Sequence, residues 1–394
     1  MILPCAPWRG REGLETLTKV LGAADGESRF VGGAVRDTLL GIEVADVDIA
    51  TRLPPQEVIE RLQDARIKAV PTGLAHGTIT AVTAGGPVEV TTLRRDVSTD
   101  GRHAIIAYTD DWREDAARRD FTMNALYADP ATGEIVDYFG GLDDLAARRV
   151  RFIGDPLQRI AEDHLRILRF FRFHARFGPD DQGAIDAAGL NACVARANDL
   201  MALSRERIAS EVLKLLVTAN AVPVVALMVD RGILRAVLPE IDAAGAARLG
   251  SLAERELAAG IAPDAIRRLA SAIAPSAAES IGARLKLSNI DRKRLIAATA
   301  GPGTEGPHAL AYRVGTAGAI DRLLIAGEDI AAIKDWTPPA FPFSGGALVA
   351  RGLRKGPDVA AMLRQVETRW IAEGFPDAAR VATIADEMVA AAPA

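Results

Sequence analysis

Cysteine is nearly absent from this 394-residue sequence: Cys5 and Cys193 are the only two, with no Cys/His partners at metal-binding spacing. That excludes a disulfide-stapled scaffold and a structural zinc site. No stretch approaches 18 apolar residues, which excludes a conventional membrane-spanning helix, and the N-terminus lacks a charged-then-apolar leader. A soluble cytoplasmic protein with no membrane attachment is the expectation. Aromatic residues make up only 5% of the chain, so its interior must be built mainly from aliphatic side chains. There is no excess of positive charge either: the net charge is −5, which argues against a protein that coats nucleic acid. A localised basic surface remains compatible with that total.

What is present is a globular composition, 49% hydrophobic and 25% charged, with abundant alanine that favours closely packed helices. The length exceeds what one core usually holds, so two or more domains are expected. The most informative stretch runs from Arg29 to Ala50. Phe30 and Val31 read as a buried strand that breaks at Gly32 and Gly33 into a helix, the arrangement that offers backbone N–H groups to a phosphate. Asp46-Val47-Asp48-Ile49-Ala50 reads as a second strand, with Asp46 and Asp48 on one face and Val47 and Ile49 on the other. Two neighbouring carboxylates repel unless a cation lies between them, and oxygen ligands suit Mg²⁺ carrying nucleotide phosphates. Taken singly, the glycine pair reads as an ordinary turn and the aspartates as a solvated strand face.

Together, Gly32-Gly33-Ala34-Val35-Arg36-Asp37 and Asp46-Val47-Asp48 resemble the first motif of the class II tRNA nucleotidyltransferases, the CCA-adding enzymes, and of the related bacterial poly(A) polymerases. The resemblance implies that Gly32, Gly33 and Arg36 hold a triphosphate, and that Asp46 and Asp48 are catalytic and bind metal. Further strands are expected at Ile67–Val70, Thr78–Val82 and Val88–Leu93, after a helix that starts at Pro54-Pro55. Glu89 faces away from Val88 and Val90, and by resemblance is a third catalytic carboxylate; the plainer reading pairs it with Arg94.

Residues 95 to 114 are polar and weakly periodic, which predicts a long loop. Its position resembles the flexible loop of CCA-adding enzymes. A helix is expected from Asp115, placing Asp120 and Asn124 on one face. Arg118-Arg119-Asp120-Phe121-Thr122-Met123-Asn124-Ala125 resembles the second motif of the family, which implies that Arg119 and Asn124 help bind the nucleotide and Asp120 accepts from the ribose 2′-hydroxyl. Asp137-Tyr138-Phe139-Gly140-Gly141 resembles the third motif, at a junction between sheet and helices.

From Asp155 onward helical periods dominate, and one helix is expected over Arg159 to Phe177. It would carry Asp163 and Arg166 three residues apart. A carboxylate acceptor beside a guanidinium donor can read the amino group and ring nitrogen shared by cytosine and adenine, and would reject uracil and guanine. On spacing alone an ordinary i,i+3 salt bridge is the simpler reading. However, Glu162, Asp163, Arg166 and Arg169 resemble the family's fourth motif, with Glu162 and Arg169 as supports of the nucleotide-binding pair. Ser204 through Glu211 resembles the fifth motif, with Ser204 as an N-cap. His164 and His174 read as packing residues. A Gly/Pro-rich break at 301–307 precedes a tail whose last expected helix spans Asp358 to Glu373. There Arg351, Arg354, Lys355 and Arg364 could contact phosphates, and the resemblance implies a grip on tRNA.

The expectation is thus an α+β protein: a nucleotidyltransferase head with a small mixed sheet flanked by helices (1–150), then an all-helical neck (151–217), body (218–300) and tail (301–394). The implied activity is Mg²⁺-dependent, template-independent addition of CCA from CTP and ATP to the 3′ end of tRNA, with no obligate protein partner. The rival readings are a poly(A) polymerase or a CC- or A-only enzyme of the same family, and a catalytically silent RNA-binding protein. The long polar stretch at 95–114 argues against CC-only activity, and Asp64 to Val82 lacks the basic and aromatic run of the polyadenylating branch.

Overall fold

In a computed structural model, which describes residues 1–99, 104–179, 185–353 and 356–391, the chain forms two compact units, Met1–Pro239 and Glu240–Ala394.

The first unit opens with α1 (Leu14–Val20), β1 (Ser28–Val31), α2 (Gly33–Leu39), β2 (Asp48–Thr51), α3 (Pro55–Asp64), β3 (Lys68–Gly73), β4 (Thr78–Thr83) and β5 (Gly86–Thr92). It continues with β6 (Arg94–Thr99), β7 (Ala104–Tyr108), α4 (Trp112–Ala117), β8 (Leu126–Ala128), β9 (Ile135–Asp137) and α5 (Gly141–Ala146). Seven strands form a sheet in the order β3-β4-β5-β2-β1-β8-β9. Among the described residues β2 and β5 are its parallel neighbours, and the other pairings are antiparallel. A parallel pair needs a crossover, supplied here by α3 and the β3–β4 hairpin. Val31 and Ala50 pack with Leu93, Trp112, Ala116 and Tyr127 on one face. The other face carries Phe30, Ile49, Ile79 and Val90, all buried, and α1, α2 and α3 pack against strands β1, β3 and β4.

Several elements differ from expectation. The strand bearing the aspartates begins at Asp48, leaving Asp46 just ahead of it, although Glu89 N–H still donates to Val47 O at 3.1 Å. The stretch expected as a loop is a β6–β7 hairpin followed by α4, with residues 100–103 outside the described ones. A register shift between Asp96 and Ser98 breaks its alternation and hides the strands from a periodicity search. The helix expected from Asp115 starts at Trp112, where Asp111 accepts from Arg113 N–H, and ends at Ala117. Phe121 is instead drawn into an extended bridge with Phe152, so tertiary pairing overrides local helix propensity.

The helical part of this unit comprises α6 (Pro156–Glu162), α7 (Arg166–Phe177), α8 (Ala187–Ala195), α9 (Arg205–Leu216) and α10 (Ala221–Asp230). The single helix expected over Arg159–Phe177 is broken at Asp163, which has extended backbone (φ −150°, ψ 105°) and accepts from Leu165 N–H. Phe170 stacks on Phe152 with centroids 5.5 Å apart, and Phe173 lies 5.1 Å from Phe121. These rings fix α7 against the segment that carries the second motif. Ser204 caps α9 as expected, accepting from Arg207 N–H.

The second unit consists of α11 (Ala243–Ala258), α12 (Ala265–Ala272), α13 (Ala278–Arg284), α14 (Asn289–Ala298), α15 (Pro307–Val314), α16 (Thr316–Ala326), α17 (Gly345–Val349), α18 (Pro357–Ala372) and α19 (Ala378–Ala390). Helix α19 follows the helix expected to be last. Gly245 lets α11 approach α12, because a Cβ there would lie 2.1 Å from Ala272 O. Leu310 and Leu323 share a core with Leu252, so the break at 301–307 is a loop between helices with a common core. Trp370, Val381 and Ile384 form a second core. Between α11, α12, α14 and α16 lies a buried charge network: Glu256 accepts from Arg267 and Arg268, each at 2.7 Å, while Asp321 accepts from Arg294 at 2.8 Å and Arg267 at 3.3 Å.

Candidate active site

The parallel register of β2 and β5 sets Asp48 directly beside Glu89, and both project from the sheet face that carries Ala50. Asp46 lies exposed two residues earlier, while Val47 and Ile49 are buried, so the expected alternation holds. Burial, followed by repulsion from Glu89 and Asp46, pushes the Asp48 carboxyl up to about 6; Arg119 and Arg36 offset this only in part. Among the described residues no group of three His, Cys, Asp or Glu side chains is gathered into a ready-made metal cage. The donor set instead fits a hard dication held by one or two carboxylates and completed by water and substrate phosphate oxygens, the usual manner of Mg²⁺.

Gly32 takes φ +67° and ψ −121°, and a Cβ there would sit 3.5 Å from the Arg119 guanidinium and 3.6 Å from Asn124 O. Its own N–H donates to Leu126 O. The N–H groups of the first turn of α2, from Gly33 onward, lack partners within the helix. Arg36 departs from expectation. Its Nη1 donates to Asn124 Oδ1 at 2.5 Å, its Nε donates to Asp37 Oδ1 at 2.7 Å, and its guanidinium lies 4.3 Å from the Phe177 ring centre. With its side chain only 8% exposed it is an internal strut rather than an open phosphate clamp.

Arg119 faces the acidic corner from α4's end. Its Nη2 donates to Asp115 at 3.1 Å, and Arg118 donates to the other Asp115 oxygen at 2.8 Å. Tyr127 Oη completes the cluster by donating to Asp115 at 2.7 Å. Burial alone would raise the Asp115 pKa, but Arg119, Arg118 and the Tyr127 hydroxyl hold it well below the usual carboxylate range. Asp120 accepts from Arg169 through Nε at 2.8 Å and Nη2 at 2.5 Å, and from Asn124 Nδ2 at 2.9 Å. The Asp120–Asn124 contact expected from a helix face therefore forms, but through an extended residue and a short 3₁₀ turn at Thr122–Asn124. The result is one continuous chain, Asp37–Arg36–Asn124–Asp120–Arg169.

Asp163 and Arg166 are not paired side by side, because the helix breaks between them. Both oxygens of Asp163 accept from Arg207 Nη2, at 2.8 and 3.1 Å. Arg166 donates to Glu162 at 2.6 Å, to Arg159 O at 2.7 Å and to Arg118 O at 3.0 Å. Glu162 thus orients Arg166 as expected, whereas Arg169 serves Asp120 instead. Asp163 remains 29% exposed and Arg166 11%. In the second unit Arg351 donates to Asp386 at 2.6 Å and lies over Phe343. Arg354 and Lys355 lie outside the described residues. His164 hydrogen-bonds Ile160 O and His174 is buried, in keeping with packing roles.

Asp115, Tyr127 and Arg207 were not anticipated as site residues. Asp115 had a signal, its i,i+4 spacing to Arg119. Arg207 lay within the stretch resembling the fifth motif, without a role of its own, and Tyr127 had no signal, because its partners are brought to it by the fold.

A mixed sheet that offers a Gly-Gly helix start beside partly compensated carboxylates, with an arginine facing them, is an arrangement suited to nucleotidyl transfer, and the chain's relatives give its class as nucleotidyltransferase. Residues 28–151 match the family model described as the poly A polymerase head domain, and residues 184–244 match the model of a probable RNA and SrmB-binding site of polymerase A. The chain is 36% identical over 384 residues to the mitochondrial CCA tRNA nucleotidyltransferase 1 of Mus musculus, spanning 92% of this chain and 87% of the relative. It is 38% identical over 217 residues to the CCA-adding enzyme of Anoxybacillus flavithermus, covering 55% and 52% of the two chains. Among solved structures, the Bacillus stearothermophilus CCA-adding enzyme in complex with CTP superimposes with a TM-score of 0.71 at 26% identity, over 92% and 93% of the chains. The chain belongs to the CCA tRNA nucleotidyltransferase family. Enzymes of this class work with a divalent metal ion. Among the described residues, no helix is long and apolar enough to cross a membrane.

Proposed function

We propose that this chain adds C, C and A in turn to the 3′ end of tRNA, in the cytoplasm, taking the nucleotides from CTP and ATP without a nucleic-acid template. At each step the terminal 3′-hydroxyl attacks the α-phosphorus of the nucleotide; a new phosphodiester forms, the bond to the β-phosphate breaks, and pyrophosphate and the hydroxyl proton leave. The observation that carries this reading is the Asp48–Glu89 register, which concentrates negative charge where no protein cation neutralises it fully.

Asp46 and Asp48 are assigned as the Mg²⁺ ligands, with Glu89 as the third carboxylate. When bound, one ion would lower the pKa of the attacking hydroxyl and a second would stabilise the departing pyrophosphate. Gly32, with its left-handed φ of +67°, turns the chain into the first turn of α2, where the triphosphate is held by Gly33 N–H and Arg119. Arg36 and Asn124 position the Gly-Gly turn, and Asp120, fixed by Arg169, accepts from the ribose 2′-hydroxyl. Asp163 and Arg166 select cytosine and adenine, with Arg207 and Glu162 orienting them. We assign residues 1–150 as the catalytic head, 151–217 as the neck, 218–300 as the body and 301–394 as a tail that holds tRNA through Arg351, Arg354 and Lys355.

The test is incorporation of labelled CTP or ATP into tRNA transcripts ending before CCA, after C or after CC, beside an unstructured RNA. Stepwise C, C, A addition confined to tRNA is the expected outcome. Long A tracts on either RNA would favour polyadenylation, a reading that the matched head-domain model keeps open, and no incorporation would favour a silent RNA-binding protein.

A further inference from the structure

Asp46 lies in irregular backbone ahead of β2, so no complete ladder holds it in place. On its C-terminal side the chain is pinned by the Glu89 N–H bond to Val47 O. On its N-terminal side a single side chain from a distant segment does the same work. Arg11 Nη2 donates to Val44 O at 3.0 Å and to Ala45 O at 3.1 Å.

The segment around Arg11 also touches the strand that carries Glu89. Gly85 N–H, in the turn leading into β5, donates to Glu12 O at 2.8 Å. A Cβ on Gly85 would come within 2.8 Å of Glu12 backbone and 2.9 Å of Arg11 Cβ, so the two backbones are in direct contact. Residues 11 and 12 therefore bracket both carboxylate-bearing segments, one through a guanidinium and one through the main chain. Arg11 is spent on these two carbonyl oxygens.

We infer that Arg11 is a positioning residue for Asp46: by bridging the two carbonyls that precede it, Arg11 sets the direction in which the Asp46 carboxylate meets the metal ion. This rests on the assignment of Asp46 and Asp48 as metal ligands. Groups that hold metal ligands in place from outside typically change metal affinity or activity by about 10- to 100-fold when removed.

The test uses the full chain and Mn²⁺ as probe, with binding read by electron paramagnetic resonance in the absence of nucleotide and RNA, alongside kcat and KM. Arg11→Ala should weaken Mn²⁺ binding and lower kcat by about tenfold while leaving the KM for tRNA unchanged. Arg11→Met keeps the apolar stem and removes only the donors, so it carries the test should Arg11→Ala fold poorly. Arg9→Ala removes the neighbouring arginine, which bonds Pro130 O, and should bind Mn²⁺ as the parent does. Wild-type Mn²⁺ affinity in a folded Arg11 variant, with binding lost in Asp46→Ala, would overturn the positioning role and leave the metal assignment standing. Normal Mn²⁺ binding in Asp46→Ala would overturn both.

Discussion

Two groups of carboxylates, a half-buried one in the first unit and a fully buried one in the second, are handled in opposite ways. In the second unit Glu256 and Asp321 are 1% exposed, yet their oxygens meet Arg267, Arg268 and Arg294 in short hydrogen bonds. In the first unit Asp48 sits beside Glu89 and near Asp46, and its proton affinity rises because burial and like charge outweigh Arg119 and Arg36. Both arrangements desolvate carboxylates, which is costly without compensation. The second unit's carboxylates find their partners within the chain, whereas the Asp48 group is only partly balanced by it.

The largest expected effect breaks the site and spares the architecture. Asp48→Ala should lower kcat by roughly a thousandfold, since losing the proposed metal ligand would remove several kcal/mol of transition-state stabilisation, with the melting temperature preserved or raised. Steady-state incorporation and a thermal melt on the same sample check both halves.

Glu256→Ala is the reverse experiment. It removes the carboxylate shared by Arg267 and Arg268 and leaves Arg267 the longer contact to Asp321, so it should cost about 3–5 kcal/mol of stability, read by urea unfolding, while nucleotide incorporation by the folded fraction stays near that of the parent.

A smaller effect sharpens the contrast through pH. A carboxyl whose folded pKa is raised binds its proton more tightly in the folded state, so ionisation costs stability as pH climbs from about 4 through about 6. Asp48→Asn should therefore melt higher than the metal-free parent at pH 8, by up to about 3 kcal/mol, and match it near pH 4. Saturating Mg²⁺ should stabilise the parent and not the variant. A variant that melted lower at pH 8 without metal would show that Asp48 is already compensated.

The smallest effect probes a cluster that balances its charge inside the first unit. Tyr127→Phe removes one hydrogen bond from Asp115, which Arg118 and Arg119 still neutralise, and should cost about 1 kcal/mol with a several-fold loss of kcat. Unchanged kinetics and stability would mean that Asp115 needs no help to hold Arg119.

The parts of this site that were legible in the sequence are those set by local pattern. Alternation alone separates Asp46 and Asp48 from Val47 and Ile49, and Glu89 from Val88 and Val90, and the glycine pair marks the strand-to-helix turn. Helix boundaries were not legible where a distant residue decides them. Phe121 leaves the helix to pair with Phe152, and Asp163 breaks the next helix, its carboxylate taken by Arg207. The hairpin at 94–108 was obscured by its register shift. Arg36 was assigned to the phosphates because of where it sits in a motif; the ring of Phe177 and the Asn124 amide that turn it inward come from other elements.

The parallel pairing of β2 and β5 also bears on how the protein is made. Hairpins form early because their ends meet quickly, whereas strands joined by a long crossover pair late. The Asp48–Glu89 register can close only after α3, β3 and β4 have been synthesised and Glu89 itself has left the ribosome. A nascent or half-folded head thus has Asp46 and Asp48 without Glu89 beside them. The like-charge repulsion between Asp48 and Glu89 therefore arises only once β2 and β5 have met in the sheet.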